Sequence, residues 1–445
     1  MKVLFANPPW WENREGSIFS RRRWRAGVRA GSRWPFTLRV RSTPDNFKPG
    51  DYLPYPFFMG YAATYAAKMT GATVHLRDSI ATRESYESFW AAVDRERYDF
   101  VFLESATPSF EHDEKLVRDI AQRSPQTKIV LTGPIAARGA ELLKTHPVHA
   151  VIRGEYEKGS ARVLKGESGL IDFDLLTSDE MNAAPFPYLD ETIAHRYWDA
   201  NPKGQKAPQA QVWSSRGCPF KCIFCVWPAT MTGNDPDGTQ VRRVRHYKAD
   251  YMEAYLREIV GKYGYRSIYF DDDTFNLGNS HVVAMCEVMA RLKVPWSAMC
   301  RADTVQLETW KLMAQAGCFG VKLGFESGSQ RVVDRIVNKH LDLELAGKVV
   351  HEVKRVGMTV HGTFTYGLPG ETREEMLETK RFIKSLPFDT IQESGTAEIE
   401  GTPLHTLRVN GPLSKYSGAQ VDATYRREVD GNKKWQQMVD DLRRS

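Results

Sequence analysis

The sequence predicts an α/β protein in which an N-terminal doubly wound, Rossmann-like parallel sheet is followed by a partial (β/α)6 barrel. In the first third of the chain, short apolar runs typical of strands alternate with helical patterns, and the alternation resumes near residue 206 with six strand–helix repeats. Strands separated by helices pair in parallel through crossover connections, and six repeats are fewer than the eight of a closed barrel. We therefore expect domains at residues 1–160 and 206–400, a linker at residues 161–205 and a tail at residues 401–445.

Five short apolar runs predict the strands of the first domain: Lys2–Ala6, Ala72–Leu76, Asp99–Leu103, Lys128–Leu131 and His149–Ile152. Helical patterns lie between them at Phe58–Met69, Tyr86–Arg97 and Asp113–Gln122, and Gly71 stands where a C-cap glycine is expected. Ligands of such sheets bind at the carboxyl ends of the strands. The residues there are small, polar or turn-forming, which suits a large ligand but is also ordinary loop composition.

The second domain is predicted from six further strands: Ala210–Ser214, Ser267–Phe270, Trp296–Cys300, Gly320–Phe325, Thr359–Tyr366 and Thr390–Glu393. The helical patterns of this domain are Tyr251–Tyr263, His281–Leu292, Leu307–Ala316, Gln330–Ile336, Leu343–Val356 and Arg373–Ser385.

Composition and charge exclude several classes of protein. The chain has 445 residues, of which 42% are hydrophobic and 26% charged, so a largely disordered chain is excluded. Residues 1–50 hold 11 Lys and Arg against 3 Asp and Glu, whereas the rest of the chain sums to −2. We therefore expect no nucleic-acid partner. No apolar run reaches the roughly 18 residues of a membrane span, and no signal peptide is expected, so we predict a cytoplasmic protein without a membrane partner.

Three of the six cysteines, Cys218, Cys222 and Cys225, follow the first barrel strand with the spacing Cys-x3-Cys-x2-Cys. Three thiolates are one fewer than the four that close a structural zinc or iron–sulfur site. The motif therefore predicts a metal centre with one open position. A [4Fe–4S] cluster with one uncoordinated iron satisfies this pattern, and a zinc site completed by a distant histidine is the alternative.

The cysteine motif, placed after the first strand of a partial barrel, resembles that of the radical S-adenosylmethionine (SAM) enzymes. Phe224, the aromatic residue before the last cysteine, matches their pattern. The resemblance implies that the open iron chelates SAM, and that one electron from the cluster cleaves it to a 5′-deoxyadenosyl radical that takes hydrogen from the substrate. Such enzymes need a low-potential electron donor, such as flavodoxin or ferredoxin.

The same resemblance implies a set of SAM contacts at the ends of successive strands. A carboxylate after the second strand would bind the ammonium group of SAM, and residues after the third, fourth and fifth strands would contact its carboxylate, ribose and adenine. The implied residues are Phe224, Asp271, Asp272, Arg301, Glu326, Ser327 and Gly367. Tyr366 is the one candidate for a catalytic side chain, with a core or gate role as the alternative.

The N-terminal domain resembles the cobalamin-binding module that precedes the barrel in one large radical SAM class. The loops Pro54-Tyr55-Pro56-Phe57-Phe58 and Arg153-Gly154-Glu155 carry this resemblance. It implies cobalamin contacts at Asn7, Pro8, Glu104, Ser105, Thr107, Gly133, Gly154 and Glu155. The cobalt-ligating pattern Asp-x-His-x-x-Gly does not occur in the sequence, so the lower face of cobalt would be free of histidine.

The class resemblance implies a cobalamin-dependent radical SAM methyltransferase. Such an enzyme would place a methyl group from methylcobalamin on an unactivated carbon after the 5′-deoxyadenosyl radical has abstracted hydrogen. The alternatives are a radical cyclase, oxidase or rearrangement enzyme without methyl transfer and, in another class, a non-catalytic iron–sulfur sensor. A small molecule or a peptide is the expected substrate. The arginines between Arg21 and Arg41 have three open interpretations: a solvated insertion, a cobalamin contact or a clamp for an anionic substrate.

Overall fold

The computed structural model describes residues 1–9, 11–14, 23–26, 36–39, 52–82, 84–226, 230–231, 244–396 and 399–405. The chain divides into two compact units. The first comprises residues 1–199 and 226–234, and the second comprises residues 200–225 and 235–445. Within the described part, no helix is both long enough and apolar enough to cross a bilayer.

The first unit contains a six-stranded parallel sheet, with strands Lys2–Asn7, Thr73–Asp78, Phe100–Glu104, Lys128–Thr132, Ala150–Ile152 and Gly169–Ile171. Numbered along the chain, these strands lie in the order 6-5-4-3-1-2. The direction of winding therefore reverses between the first and third strands, which confirms the predicted doubly wound sheet.

The helices of this unit are Phe57–Thr70, Ser79–Thr82, Tyr86–Glu96, Phe110–Arg123, Gly139–Thr145, Glu157–Leu164 and Ser178–Ala183. Gly71 ends the first of them in the left-handed region at φ +69°, and its N–H donates to the Ala67 carbonyl at 2.9 Å, as its position in the sequence predicts. Apolar side chains of the central strands, such as Val101, Leu131 and Val151, are buried against these helices.

Residues 161–205 differ from the linker that the sequence predicts. They contain Gly169–Ile171, which pairs with Ala150–Ile152 as the sixth strand of the sheet. Further along, Trp198–Asp199 pairs antiparallel with Tyr52–Leu53, and the first unit extends to Asp199. Strands of two or three residues are too short to show a period in the sequence, so this part of the chain resembled a connection.

Part of the basic N-terminal segment is described as backbone. Trp11–Arg14, Arg23–Ala26 and Phe36–Arg39 form a three-stranded antiparallel sheet. The arginine side chains between Arg21 and Arg41 lie outside the described residues, as do residues 406–445 of the predicted tail. The three interpretations of these arginines remain predictions.

The second unit contains six parallel strands in sequential order: Gln209–Val212, Ser267–Phe270, Trp296–Cys300, Cys318–Glu326, Thr359–Tyr366 and Thr390–Gly395. Its helices are Ala249–Tyr263, Asn279–Leu292, Leu307–Gln315, Leu343–Arg355 and Arg373–Ser385, with a π-helical turn at Val332–Ile336. The first and last strands do not pair with each other among the described residues. This is the open (β/α)6 arrangement that the sequence predicts.

A short antiparallel ladder follows the first barrel strand, in which Ser215–Arg216 pairs with Arg245–His246. The cysteine motif begins directly after Arg216. The motif therefore leaves the sheet at the carboxyl end of its first strand, where ligands of α/β sheets bind.

Candidate functional site

In the first unit, Asn7 ends the first strand and Glu104 ends the third, so the two residues flank the point where the winding reverses. Asn7 and Pro8 are buried. Nδ2 of Asn7 and Oγ1 of Thr107 are buried and find no hydrogen-bond partner within the described residues. A buried polar atom without a partner costs about 1–3 kcal/mol, so this edge is suited to a ligand that supplies polar groups.

Gly133 lies at the end of the fourth strand, with φ +85°. A Cβ atom on this residue would lie 2.6 Å from the backbone oxygen of Ser105. Only glycine therefore fits here, because the backbone packs directly against the end of the neighbouring strand. Together with Asn7 and Thr107, this cradle fits a large ligand rich in amide groups, as cobalamin is.

The side chains of Glu104 and Ser105 are engaged inside the unit. Glu104 accepts a hydrogen bond from the Tyr156 hydroxyl, and Ser105 Oγ donates to Asp113 at 2.5 Å. Burial raises the pKa of the Asp113 carboxyl to about 6, although hydrogen bonds from Ser105 and Ser109 oppose the shift. Glu104 and Ser105 therefore stabilise the end of the strand. The residues that could contact a ligand at this edge are Asn7, Thr107 and Gly133.

Gly154 and Glu155 follow the fifth strand and contact a different part of the first unit. Gly154 has φ +75°, and a Cβ atom there would meet the Phe173 ring at 2.4 Å and the Met231 carbonyl oxygen at 2.9 Å. The Glu155 N–H donates to the same carbonyl at 2.7 Å. Both residues thus have a close structural neighbour, and their role toward cobalamin remains a prediction.

In the second unit, the cysteine loop is fixed by the backbone of a neighbouring loop. The Ile223 N–H donates to the Val337 carbonyl at 3.0 Å, and Nδ2 of Asn338 donates to the Lys221 carbonyl at 3.1 Å. The side chain of Cys222 packs on an apolar cluster together with two partners. That cluster consists of Val332, Val337 and Leu368, and the partners are Phe224 and Ile336. The central cysteine and its aromatic neighbour are therefore held on one surface.

The thiol of Cys218 is held in its protonated form by its surroundings. Burial is the main cause that raises its pKa to about 12, and the Asp273 carboxylate and the neighbouring thiols act in the same direction. Burial also raises the pKa of Cys222. A metal centre at these positions must displace the thiol protons. Among the described residues, no three Cys, His, Asp or Glu side chains are grouped to hold a single metal ion. The set of three soft sulfur donors fits an iron–sulfur cluster, with one ligand fewer than a closed site.

The aspartates after the second strand have different surroundings. Asp272 is 2% exposed, and its carboxylate accepts hydrogen bonds from the Ser214 N–H at 3.1 Å and the Ser215 hydroxyl at 2.5 Å. Burial raises its pKa to about 6. Asp272 therefore ties two strand ends together, whereas Asp271 is half-buried. Asp273, which the sequence reasoning did not single out, accepts a hydrogen bond from the Gly217 N–H at 2.9 Å.

Arg301 lies beside the cysteine loop. Its guanidinium group stands 3.6 Å from the centre of the Phe220 ring, and Nη2 donates to the carbonyls of Lys339 and His340 at 2.8 and 3.0 Å. It also pairs with Asp303 at 2.5 Å. Nη1 is buried and has no partner within the described part of the chain. This remaining donor fits the predicted contact with a carboxylate or hydroxyl group of SAM.

Glu326 and Ser327, predicted to contact ribose, point to different partners. Glu326 has φ +70° and forms an ion pair with Lys339 at 2.9 Å, while its second oxygen accepts a hydrogen bond from Thr365 at 3.1 Å. Ser327 is fully buried, with its hydroxyl 3.0 Å from that of Thr379. Ser327 therefore anchors the strand end to a helix. Lys339 is a second residue that the sequence reasoning missed.

The turn predicted to contact adenine is stabilised by a buried acid. Gly367 has φ +75°, and its N–H donates to Glu371 at 2.7 Å, with the Leu368 N–H at 3.1 Å from the same oxygen. Burial raises the pKa of Glu371 to about 8. Tyr366 is 1% exposed and its hydroxyl donates to Glu393 at 2.9 Å. This burial is typical of a core side chain, and a catalytic role for Tyr366 remains a prediction.

Two family models match this chain. The model of the radical SAM superfamily matches residues 214–383, and the model of the B12 binding domain matches residues 55–164. An uncharacterized methyltransferase of Pyrococcus horikoshii is 28% identical over 326 residues, which is 67% of this chain and 67% of the relative. The cytidylyl-2-hydroxyethylphosphonate methyltransferase of Streptomyces wedmorensis is 27% identical over 255 residues. That match covers 54% of this chain and 45% of the relative.

A solved structure shows the same fold. The radical SAM methyltransferase TsrM from Kitasatospora setae, with tryptophan substrate and the SAM analog aza-SAM bound, matches with a TM-score of 0.64 at 15% identity. The match covers 82% of this chain and 76% of TsrM. The two matched domains imply three cofactors for this chain: a [4Fe–4S] cluster, SAM and cobalamin.

Proposed function

Because this chain belongs to the cobalamin-dependent radical SAM methyltransferase class, we propose that it transfers a methyl group to an unactivated carbon of a small molecule or peptide. One observation carries the proposal: a single chain holds both a half-buried loop with three thiols and a strand edge where two buried polar atoms have no hydrogen-bond partner among the described residues. When bound, the cluster supplies the electron that cleaves SAM, and cobalamin carries the methyl group.

The protein's own residues would hold the reactants. We propose that Cys218, Cys222 and Cys225 bind three corners of the cluster, and that Arg301 Nη1 and the half-buried Asp271 bind the charged ends of SAM. A guanidinium group suits a carboxylate and a carboxylate suits an ammonium group. The turn that begins at Gly367 offers its backbone to a flat base.

The remaining predicted contacts are proposed with the roles that their surroundings support. Phe224, Glu326 and Ser327 shape the SAM site from the packed cluster and the strand end. On the first unit, Asn7, Thr107 and Gly133 bind cobalamin directly. Supporting residues at that edge are Pro8, Glu104, Ser105, Gly154 and Glu155.

Enzymes of this superfamily take their electron from an external reductant, and we propose a flavodoxin or ferredoxin as the donor. We also place the protein in the cytoplasm, because thiolates that bind a cluster stay reduced in that compartment. The substrates named for the relatives are a cytidylylated phosphonate and tryptophan. These two substrates have no common functional group that would indicate the substrate class of this chain.

The test is anaerobic reconstitution with iron, sulfide and cobalamin, followed by reduction in the presence of SAM. Transfer of a methyl group consumes one SAM as methyl donor and a second as radical source, so both S-adenosylhomocysteine and 5′-deoxyadenosine should form. A substrate product gains one CH2 unit. If 5′-deoxyadenosine forms but no S-adenosylhomocysteine does, a radical enzyme without methyl transfer is favoured. A cluster that never cleaves SAM indicates a sensor.

A further inference from the structure

Lys339 is a buried cation next to the proposed cluster ligands, and the reaction described so far does not use it. The residue is 8% exposed. Its Nζ lies 2.9 Å from Oε1 of Glu326, and the side chain of Glu326 is buried as well. Burying an ion pair costs desolvation energy that the pairing does not fully return. We therefore looked to a role other than stability for the buried ion pair of Lys339 and Glu326.

The loop that carries Lys339 is attached to the cysteine loop. Val337 and Asn338, the two residues before it, bind the backbone of Ile223 and Lys221, and Val337 also belongs to the apolar cluster on which Cys222 packs. Asn338 and His340, on either side of Lys339, have φ values of +58° and +51°. These two left-handed residues fix the course of the loop that carries the lysine, and that loop is bound to the cysteine loop.

A second cation is held at the same place. The Arg301 guanidinium group contacts Phe220, between the first two cysteines, and binds the carbonyl of Lys339 itself. Two basic side chains therefore lie on segments that adjoin the cysteine loop, and each has a carboxylate partner: Glu326 for Lys339 and Asp303 for Arg301.

We propose that Lys339 is a positioning residue whose buried charge, on the loop bound to the cysteine loop, raises the reduction potential of the cluster, and that Glu326 limits this effect. The inference rests on the proposed function, since it needs a cluster on the three cysteines. On reduction, the cluster gains one electron from the external reductant and becomes more negative by one unit. A nearby buried cation stabilises that state, because charges interact strongly away from water.

The experiment is a redox titration of the reconstituted cluster, followed by its EPR signal, with SAM left out. Lys339→Met removes the cation and should lower the ratio of reduced to oxidised cluster tenfold or more at a fixed potential. For a one-electron couple this equals a shift of about 59 mV. Glu326→Gln removes the opposing charge and should raise the ratio. Omitting SAM separates an effect on the cluster from an effect on SAM binding.

Lys348→Met is the matched control, because Lys348 pairs with Glu344 at 2.8 Å on an exposed helix face and its removal should leave the potential unchanged. Lys339→Arg keeps the charge and should stay near the wild-type value. Opposite shifts in the Lys339→Met and Glu326→Gln variants support the proposal, because simple loosening of the loop would move both in one direction. If Lys339→Met yields no folded protein, the Glu326→Gln variant decides: a higher reduction potential than the wild type supports the proposal, and an unchanged or lower one contradicts it.

If the reduction potential is unchanged in the Lys339→Met and Glu326→Gln variants, or shifts in the same direction in both, the proposal for Lys339 is overturned. The proposed function is not affected by that result, provided that the wild-type protein assembles its cluster. A wild-type protein that assembles no cluster overturns both.

Discussion

The carboxylate of Asp273 accepts a hydrogen bond from the backbone N–H of Gly217 at 2.9 Å. This contact joins the end of the second barrel strand to the residue just before Cys218, and Asp273 also acts electrostatically on that thiol. The acidic end of one strand therefore sets the start of the cysteine loop on its neighbour.

Replacing Asp273 should weaken cluster binding. A hydrogen bond to a charged group is worth about 1.5–3 kcal/mol, so Asp273→Ala should lose several-fold more iron and sulfide than the wild type during gel filtration after reconstitution. Asp273→Asn keeps an acceptor for the Gly217 N–H and should retain most of the cluster. Equal retention in both variants and the wild type would show that the contact does not support the loop.

Each cluster cysteine should be indispensable. Alanine at Cys218, Cys222 or Cys225 should abolish both the cluster absorbance and the formation of 5′-deoxyadenosine from SAM, since a cluster with two protein ligands is not retained. Cys286 is buried in a helix of the same unit, and Cys286→Ala is the control, with cluster and cleavage kept. SAM cleavage that survives in the Cys222→Ala variant would contradict the assignment.

Cobalamin binding should depend on the tight backbone packing of Gly133 against Ser105. Gly133→Ala places a Cβ atom 2.6 Å from a backbone oxygen, so we expect at least a tenfold loss in affinity for hydroxocobalamin, measured by absorbance titration. Gly71 also has a positive φ, but a Cβ atom there has no neighbour within 4 Å. Gly71→Ala therefore carries the left-handed backbone cost of about 1–2 kcal/mol without a steric clash, and it should bind cobalamin normally. Equal losses in the two variants would point to general destabilisation.

The buried carboxyl of Asp113 should make stability depend on pH. Burial raises its pKa from 3.8 to about 6, so the folded state holds this proton more tightly than the unfolded state does. The contribution of this protonated carboxyl to the free energy of unfolding is favourable at low pH, and it is lost as the pH rises from about 4 to 6. At pH 7 the ionised Asp113 lowers the free energy of unfolding by about 3 kcal/mol relative to an aspartate with an unshifted pKa.

Asp113→Asn removes this titration, and urea unfolding at pH 4.5 and pH 7.5 measures the difference. The variant should gain stability relative to the wild type at the higher pH. Asp94→Asn, at a half-exposed position, serves as the control and should follow the wild type. An unchanged pH slope in Asp113→Asn would contradict the burial argument.

Much of the fold was predictable because the strands and helices are long enough to show their periods. The six barrel strands and the first five strands of the N-terminal sheet lie within two residues of their predicted bounds. The sixth strand, Gly169–Ile171, was missed because three residues carry no period. Its position depends on pairing with Ala150–Ile152, which no local pattern shows.

For the site, the sequence indicated the cysteines by their spacing but not the residues that hold them. Lys339 lies more than one hundred residues from Cys222 in the sequence, and its loop, which has two left-handed residues, is hydrogen-bonded to the cysteine loop. Such a contact has no signal in a single sequence. Asp273 could have been singled out, since it is the third residue of a run of three aspartates. The run alone does not show that Asp272 binds Ser214 and Ser215 whereas Asp273 binds Gly217.

We expect SAM to bind directly to one iron of a cluster that is held by three cysteines. The most direct measurement is electron–nuclear double resonance on the reduced cluster, with SAM carrying 15N in its amino group and 17O in its carboxylate. Direct binding should give hyperfine coupling from both labels in the wild type. Bound SAM without coupling to the cluster, or zinc in place of iron on the three thiolates, would contradict it.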